Sequence, residues 1–167
     1  YFKLNNLMLI ATTVHYQSYS DHIKTDVHIA KFSLSNLQLN SNKQVVNLAK
    51  IHLKNSAIEV FVQRDEKLSN ANVTEGIVWP QWQINVNKIS LLNDSFTFRS
   101  STRKDKPNTF NPEHPVLTAV NLEAKNVQYK PEELRALFQS LSFKDRSNFK
   151  LNNLGFELNL KPKLLTL

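Results

Sequence analysis

The chain has 167 residues, of which 41% are hydrophobic and 21% charged, a balance that is typical of a folded protein and excludes a disordered one. It contains no cysteine, which excludes a disulfide framework, a thiolate zinc site and a cysteine nucleophile. The formal net charge of +7 favours an anionic partner, but the basic residues are scattered singly and no base-stacking motif accompanies them, so we expect no nucleic acid partner.

A ten-residue pattern occurs four times along the chain. Residues 27–36, with the sequence VHIAKFSLSN, match residues 46–55, nineteen positions further on. The pattern returns at 84–93, a further thirty-eight positions away, and in a degenerate form at 117–126. Each copy has apolar residues at positions one, three, six and eight and Asn at position ten, and Lys fills position five in the first three copies. Such self-similarity is typical of an array of equivalent structural units.

The spacing of the apolar positions predicts strands and not a helix. At about 100° per residue, positions one, three, six and eight do not share one helical stripe. On a strand they form two alternating runs with one change of parity, and a β-bulge at the Lys in position five would keep both runs on one face. Asn tolerates turn dihedrals. We therefore predict a unit of strand, bend and strand, with the bends at Asn36, Asn55, Asn93 and Asn126.

The remaining segments separate or extend these units. Segments 64–75 and 99–115 are predicted loops, and the second carries prolines that cannot donate to a central ladder. Residues 131–143 begin with a Pro-Glu-Glu sequence that favours a short helix, although their apolar spacing also suits a strand. The hexapeptide FKLNNL occurs at both 2–7 and 149–154 and predicts two equivalent strands. Because the chain begins without Met and residues 161–167 still have strand character, we expect 1–167 to be one segment of a longer repetitive protein.

A sheet built from these units has one apolar face that must be covered. One possibility is a second sheet, which would give a β-sandwich with an ordinary core. The other is a sheet that curls into a groove and covers lipid acyl chains. Each CH₂ group removed from water contributes about 0.8 kcal/mol, so a sixteen-carbon chain gains on the order of 12 kcal/mol. The pattern predicts an all-β fold with at most one short helix and leaves both possibilities open.

The residues that would carry catalysis or hold a cofactor are missing from the sequence. Neither of the two glycines begins a G-x-S-x-G elbow or a phosphate-binding loop. The segment 79–82, with the sequence WPQW, is either a ligand platform or an aromatic plug that closes a loop onto the core. We predict a protein that is not an enzyme and holds no metal and no cofactor. The histidines share no metal-ligand spacing, and we expect them to be solvated: His15, His22, His28, His52 and His114.

Three stretches of the sequence carry a family resemblance. They are INVNKISLLNDSFTF at 84–98, FNPEHPVLTAVNLEAK at 110–125 and LSFKDRSNFKLNNL at 141–154. Together with the repeat, they resemble the AsmA-like/TamB family, and in particular its Bacteroidota-type members, the inner-membrane component of the translocation and assembly module. The likeness covers roughly residues 27 to 160. In the third stretch the family commonly has Gly where this chain has Asn148.

The resemblance implies an elongated, repetitive antiparallel sheet that curls into a groove, a β-taco, and crosses the bacterial periplasm from an inner-membrane anchor outside this sequence. It implies that the protein moves phospholipid to the outer membrane, or assists outer-membrane protein assembly together with an outer-membrane barrel. The alternatives are a β-sandwich binding or adhesion module and a structural scaffold of a membrane complex. We predict that phospholipid acyl chains contact the apolar repeat positions: Val27, Ile29, Phe32, Leu34, Val46, Leu48, Ile51, Leu53, Ile84, Val86, Ile89, Leu91, Phe96, Phe98 and Leu122.

Overall fold

The computed structural model describes residues 1–19, 22–63, 81–101, 111 and 114–161, and every regular element within these ranges is a β-strand. The all-β prediction is therefore confirmed. Segment 64–75 lies outside the described residues, as do Trp79, most of the second predicted loop and residues 162–167. The strands are β1 (Phe2–Ser18), β2 (Ile23–Asn40), β3 (Val45–Lys54), β4 (Ala57–Val62), β5 (Gln83–Ser100), β6 (Val116–Lys130), β7 (Glu133–Asp145), β8 (Lys150–Leu151) and β9 (Phe156–Leu160).

All nine strands belong to one sheet in the order β1-β2-β3-β5-β6-β7-β8. Strand β4 continues the line of β3 between β2 and β5, and β9 pairs with β7. The pairing is antiparallel except between β3 or β4 and β5, which run parallel. The sheet is thus mixed and differs at this point from the wholly antiparallel sheet that we expected. The chain between Val62 and Gln83 is long enough for the crossover that parallel pairing requires.

The segment with the helical signal forms a strand. Residues 131–132 are a turn, and β7 follows them. Leu134 pairs with Tyr129 of β6 on one side and with Leu160 of β9 on the other. Because β7 pairs along both edges, its backbone N–H and C=O groups have hydrogen-bond partners. This pairing overrides the local preference of Pro-Glu-Glu for a helix start.

The predicted bends at position ten are confirmed. Asn36, Asn55, Asn93 and Asn126 have φ values of 51°, 52°, 55° and 51°, in the left-handed region. Asn55 separates β3 from β4, and the other three lie inside long strands. Asn148, where the resembled family commonly has Gly, also has a positive φ of 68°. Asn is the non-glycine residue that adopts this conformation most readily, so it replaces glycine at these bends.

The predicted β-bulge at the position-five lysines is wrong. Lys50 pairs with Ser35 and with Lys88, and neither register shifts there. The parity change occurs one residue earlier, at position four. The β2–β3 ladder is interrupted between the pairs Ser35–Lys50 and Gln38–Asn47, and Ala49 and the left-handed Asn36 both lie in this interruption. The register is the same on its two sides. In the β2–β3 pair, a bend in one strand that is matched on its partner therefore keeps the apolar positions in step without an inserted residue. Register shifts do occur in the β5–β6 ladder between Leu91 and Phe96 and in the β6–β7 ladder between Thr118 and Gln128.

The described part of the sheet has no second layer. Substantial contact between strands is confined to hydrogen-bonded neighbours. The buried hydrophobic residues are small or medium in size, and no large side chain is fully buried. The described residues therefore form one curled sheet, as a groove requires, and not two sheets packed face to face. The buried hydrophobic residues are Val86, Val120, Ala124 and Ala136.

Candidate functional site

Cross-strand partners form continuous rows of apolar side chains across the sheet. Partners in a ladder project from the same face, so each row belongs to one face. Four such rows define what we call the apolar face. The first row is Phe2, Leu39, Val46, Ile84, Tyr129, Leu134 and Leu160. The second is Leu7, Leu34, Ile51, Ile89, Ala124, Phe138 and Phe156. The third is Leu9, Phe32, Leu53, Leu91, Leu122 and Leu141, and the fourth is Val14, Val27, Ile58, Phe96 and Leu117.

The predicted lining residues lie in these rows or beside them. Leu48 and Val86 pair with each other between the first and second rows, at the bend. Ile29 pairs with Thr12 of β1, and Phe98 pairs with Val60 of β4. The structure thus brings the predicted positions together on one sheet. That they contact lipid stays a prediction.

Strands β1, β7 and β9 lengthen the rows with residues that the sequence pattern missed. These strands lie outside the four repeat copies, so no repeat position marked them. The alternation of Phe156, Leu158 and Leu160 could have identified β9. The hexapeptide FKLNNL did predict strands at 2–7 and 149–154, but the prediction that they are equivalent is wrong: the first copy lies within the 17-residue β1, whereas only Lys150–Leu151 of the second copy form a strand. On β1 these side chains are open to solvent, with Phe2 52% and Leu7 39% exposed.

The face opposite the rows is mostly polar, with exposed apolar exceptions at Met8, Ile10, Leu92 and Leu137. The parallel pairing of β3 and β5 aligns repeat copies thirty-eight residues apart, so identical residue types lie side by side. Asn85 Nδ2 donates to Asn47 Oδ1 at 2.8 Å, and Asn93 Nδ2 donates to Asn55 Oδ1 at 3.0 Å at the bend. These amide pairs fix the parallel register. One row that represents the polar face is Lys3, Gln38, Asn47, Asn85, Gln128, Arg135 and Asn159.

A second row of the polar face carries three successive lysines, Lys50, Lys88 and Lys125, on β3, β5 and β6. Lys88 Nζ lies 2.5 Å from Glu123 Oε2, and Ser90 Oγ donates to Glu123 Oε1 at 2.6 Å. Burial raises the pKa of Glu123, but the hydrogen bonds from Lys88 and Ser90 and the charges of Lys88 and Lys50 outweigh it and hold this pKa below its ordinary value. Glu123 is therefore ionised at neutral pH.

A buried polar cluster holds the bend between β3 and β4 against β5. The backbone N–H of Ser56 donates to Asp94 Oδ1 at 2.7 Å, and the backbone N–H of Leu92 donates to Asp94 Oδ2 at 3.0 Å. The hydroxyl of Ser56 accepts the backbone N–H of Ala30 at 3.1 Å and so reaches β2 as well. Burial raises the pKa of the Asp94 carboxyl, and the two backbone hydrogen bonds offset part of this rise. The cluster is structural, since Ser56 and Asp94 are both buried.

The prediction of solvated histidines is wrong in two places. His114 is only 5% exposed, and its Nε2 accepts the backbone N–H of Ser100 at 3.2 Å. His52 lies on the polar face between Ser33 and Ser90, and its Nδ1 is buried without a hydrogen-bond partner. Among the described residues no three His, Cys, Asp or Glu side chains come together as a metal site would require.

The apolar face therefore remains the strongest candidate site in the described structure. No helix within the described ranges is long and apolar enough to cross a membrane. Comparisons with known protein families, with curated proteins and with solved structures found no match for this chain.

Proposed function

We propose that the apolar face binds the acyl chains of phospholipid and that the protein carries phospholipid between the inner and outer membranes of a bacterium. The observation that carries the proposal is the continuity of the apolar rows. The second row crosses seven strands, from Leu7 on β1 to Phe156 on β9, without a polar interruption. No other part of the described chain covers it.

Binding of a lipid acyl chain to this face would be strongly favourable in free energy. Neighbouring strands are about 4.8 Å apart, so a row across seven strands offers roughly 29 Å of apolar contact. An acyl chain that lies on several rows removes its own CH₂ groups and the half-buried side chains from water, at about 0.8 kcal/mol per CH₂. Curling of the sheet brings the rows around the chain, whereas a flat sheet would contact only one side of it.

The sequence resemblance to the AsmA-like/TamB family supports the cellular setting of the proposal. On that basis the chain lies in the periplasm, and the longer protein is anchored in the inner membrane. An outer-membrane barrel would be its protein partner, and assistance to outer-membrane protein assembly would be the related role. These elements of the proposal rest on the resemblance alone.

A second candidate function is a scaffold that recruits another chain by strand pairing. Strand β1 is an edge of the sheet, and it is long, whereas edge strands in most proteins are short or protected by charge. Met8 and Ile10 are 57% and 64% exposed, although their partners Ser33 and Lys31 place them on the polar face. An edge that is apolar on both faces suits the addition of a strand from a partner.

Lipid analysis of the purified protein tests the leading proposal. The chain is purified without detergent and extracted for mass spectrometry, beside an Ile89→Lys variant and an Asn87→Lys control. Ile89 lies at the centre of the second row, and Asn87 is an exposed residue on the same strand. We expect stoichiometric phospholipid in the wild type and the control and at least about a tenfold loss in Ile89→Lys, because a buried ammonium opposes the acyl chain.

The outcome also separates the two candidates. Circular dichroism first confirms that all three proteins are folded. A folded, lipid-free wild-type protein, or equal lipid in Ile89→Lys and the control, would contradict the proposal. If lipid-free protein also assembles through β1, the scaffold becomes the better account.

A further inference from the structure

A group of five lysines occupies the centre of the polar face. Lys50, Lys88 and Lys125 are successive partners on β3, β5 and β6. Lys31 of β2 is the partner of Lys54 on β3. Lys31, Lys50 and Lys125 are exposed, and the other two are half-exposed. Neighbouring strands are about 4.8 Å apart, and Lys54 lies four residues along β3 from Lys50, or about 13 Å at 3.3 Å per residue, so the five lysines lie in two nearby rows of the sheet. We call this area the lysine patch.

The lysine patch holds more positive charge than the described sheet neutralises. Like charges directly opposite each other on neighbouring strands are destabilising. Glu123 is the acidic side chain that pairs with the patch in the described part of the sheet, and it takes one lysine, Lys88, at 2.5 Å. The other four lysines form no ion pair within the described ranges, and three of them are exposed. An anionic partner laid on the patch would relieve this repulsion.

The surroundings of the patch favour a diffuse anionic surface over a protein partner. Protein hot spots are rich in Trp, Tyr and Arg set in pockets. The rows around the patch instead carry small hydroxyl and amide side chains, such as Ser33, Ser35, Asn47 and Asn85, that can donate hydrogen bonds to phosphate oxygens. Three exposed apolar side chains, Ile10, Leu92 and Leu137, are the partners of Lys31, Lys54 and Lys125, and apolar groups beside lysines also suit the interfacial region of a membrane. Lysine is a flexible point charge that suits mobile phosphodiester groups and needs no fixed bidentate geometry.

We propose that the lysine patch docks the polar face of the sheet on the anionic phospholipid surface of a membrane. Such docking would leave the apolar face free. Because it uses the opposite face of the sheet, the docking is independent of acyl-chain binding, and either proposal can fail without the other.

Vesicle flotation with matched variants tests the docking. Lys50→Gln/Lys125→Gln removes two patch charges and keeps the Lys88–Glu123 ion pair, so the sheet should still fold. Lys43→Gln/Lys130→Gln removes the same charge at exposed turn and strand-end positions outside the patch. The vesicles are phosphatidylcholine alone or phosphatidylcholine with about 30% phosphatidylglycerol, at about 0.1 M and 1 M salt, where screening lengths are about 10 Å and 3 Å.

We expect the wild type to float with the anionic vesicles at low salt and to be released at high salt. Each lysine near an anionic leaflet contributes about fivefold to partitioning, so the patch variant should bind about 30-fold more weakly and the control should bind nearly as well as wild type. An equal loss of vesicle binding in the two variants would mean that binding depends only on the net charge of the protein, and it would overturn the proposal. Equal flotation with neutral vesicles would also overturn it. Binding of poly-glutamate without vesicle binding would assign the patch to an acidic protein instead.

Discussion

Single residues with positive φ shape this sheet, and in the described chain none of them is glycine. For most L-residues the left-handed conformation costs roughly 1–2 kcal/mol, and Asn lowers that cost through local hydrogen bonds of its short side chain. Asn93 Nδ2 also donates a hydrogen bond to Oδ1 of Asn55, the bend residue between β3 and β4. The repeated Asn therefore bends the strand and, where two copies lie side by side, also fixes their register.

Substitutions at Asn126, an exposed bend with a φ of 51°, test this role. Asn126→Gly should leave the free energy of unfolding within about 1 kcal/mol of wild type, because glycine accepts positive φ. Asn126→Val should lower it by about 1–3 kcal/mol, because a β-branched side chain is strained there. Urea denaturation measures both. Equal effects of the two substitutions would mean that the bend does not depend on the backbone conformation of this residue.

Two buried carboxyls should affect stability in opposite directions with pH. Burial raises the pKa of Asp145, but hydrogen bonds from the Ser147 hydroxyl and from the backbone N–H groups of Ser147 and Arg146 outweigh it, so the folded pKa lies below the ordinary 3.8. The unfolded state then protonates first as the pH falls, and the stability that Asp145 contributes above pH 3.8 is lost as the pH falls through the folded pKa. For Asp94 burial raises the folded pKa above 3.8, so its contribution is present at low pH and is lost as the pH rises through that pKa.

Urea midpoints between about pH 2 and pH 7 check these signs. In Asp145→Asn, the free energy of unfolding should decrease less than in wild type as the pH falls below about 4. In Asp94→Asn, it should increase more steeply than in wild type as the pH rises above about 4. Asp94→Ala should in addition lower the free energy of unfolding by about 2–4 kcal/mol, because it leaves the N–H groups of Ser56 and Leu92 without acceptors. Identical pH profiles for all the variants would refute the assigned pKa directions.

For the individual elements, the sequence predicts the strands and the bend within each repeat copy, but it does not predict which copies pair with each other or in which direction. Apolar spacing and the Asn at position ten identify strands β2 to β6 and their bends, because both signals are local. The parallel pairing of β3 with β5 depends on a crossover between Val62 and Gln83, which no residue pattern specifies. The misplaced bulge has a similar cause, since the parity change at Ala49 is set by Asn36 on the facing strand.

Strand β9 is a short edge element that pairs with β7 and adds one stacked aromatic pair to that ladder. The rings of Phe138 and Phe156 stack with centroids 4.4 Å apart, whereas Phe143 and Phe149 are tilted at 6.2 Å. Phe156→Ala should lower hydrogen-exchange protection of β9 amides by about fivefold, the equivalent of an aromatic pair worth about 1 kcal/mol. Protection in β2, β3 and β5 should not change. Phe149→Ala serves as the control, and an equal loss of β9 protection in it would contradict the assignment.

At the scale of the whole molecule, the described chain is a single layer with two chemically different faces. Sequence periodicity predicts the apolar positions, but it does not distinguish a sandwich from a groove, because both hide the same face. The structure distinguishes them for the described residues, since strand contacts are confined to ladder neighbours. The molecule that covers the apolar face cannot be identified from the apolar spacing or from the strand register, because both describe only this chain.

Site-resolved photocrosslinking to lipid tests whether acyl chains lie on the apolar face. A photoreactive phenylalanine analogue replaces Ile51, Ile89 or Leu122 on the apolar face, or Asn87 or Lys125 on the polar side, in cells grown with labelled phosphate. We expect phospholipid adducts at the three apolar positions and at least about tenfold fewer at the other two, because acyl chains follow the apolar rows. Adducts of equal yield at all five positions, or none at the apolar three, would contradict it.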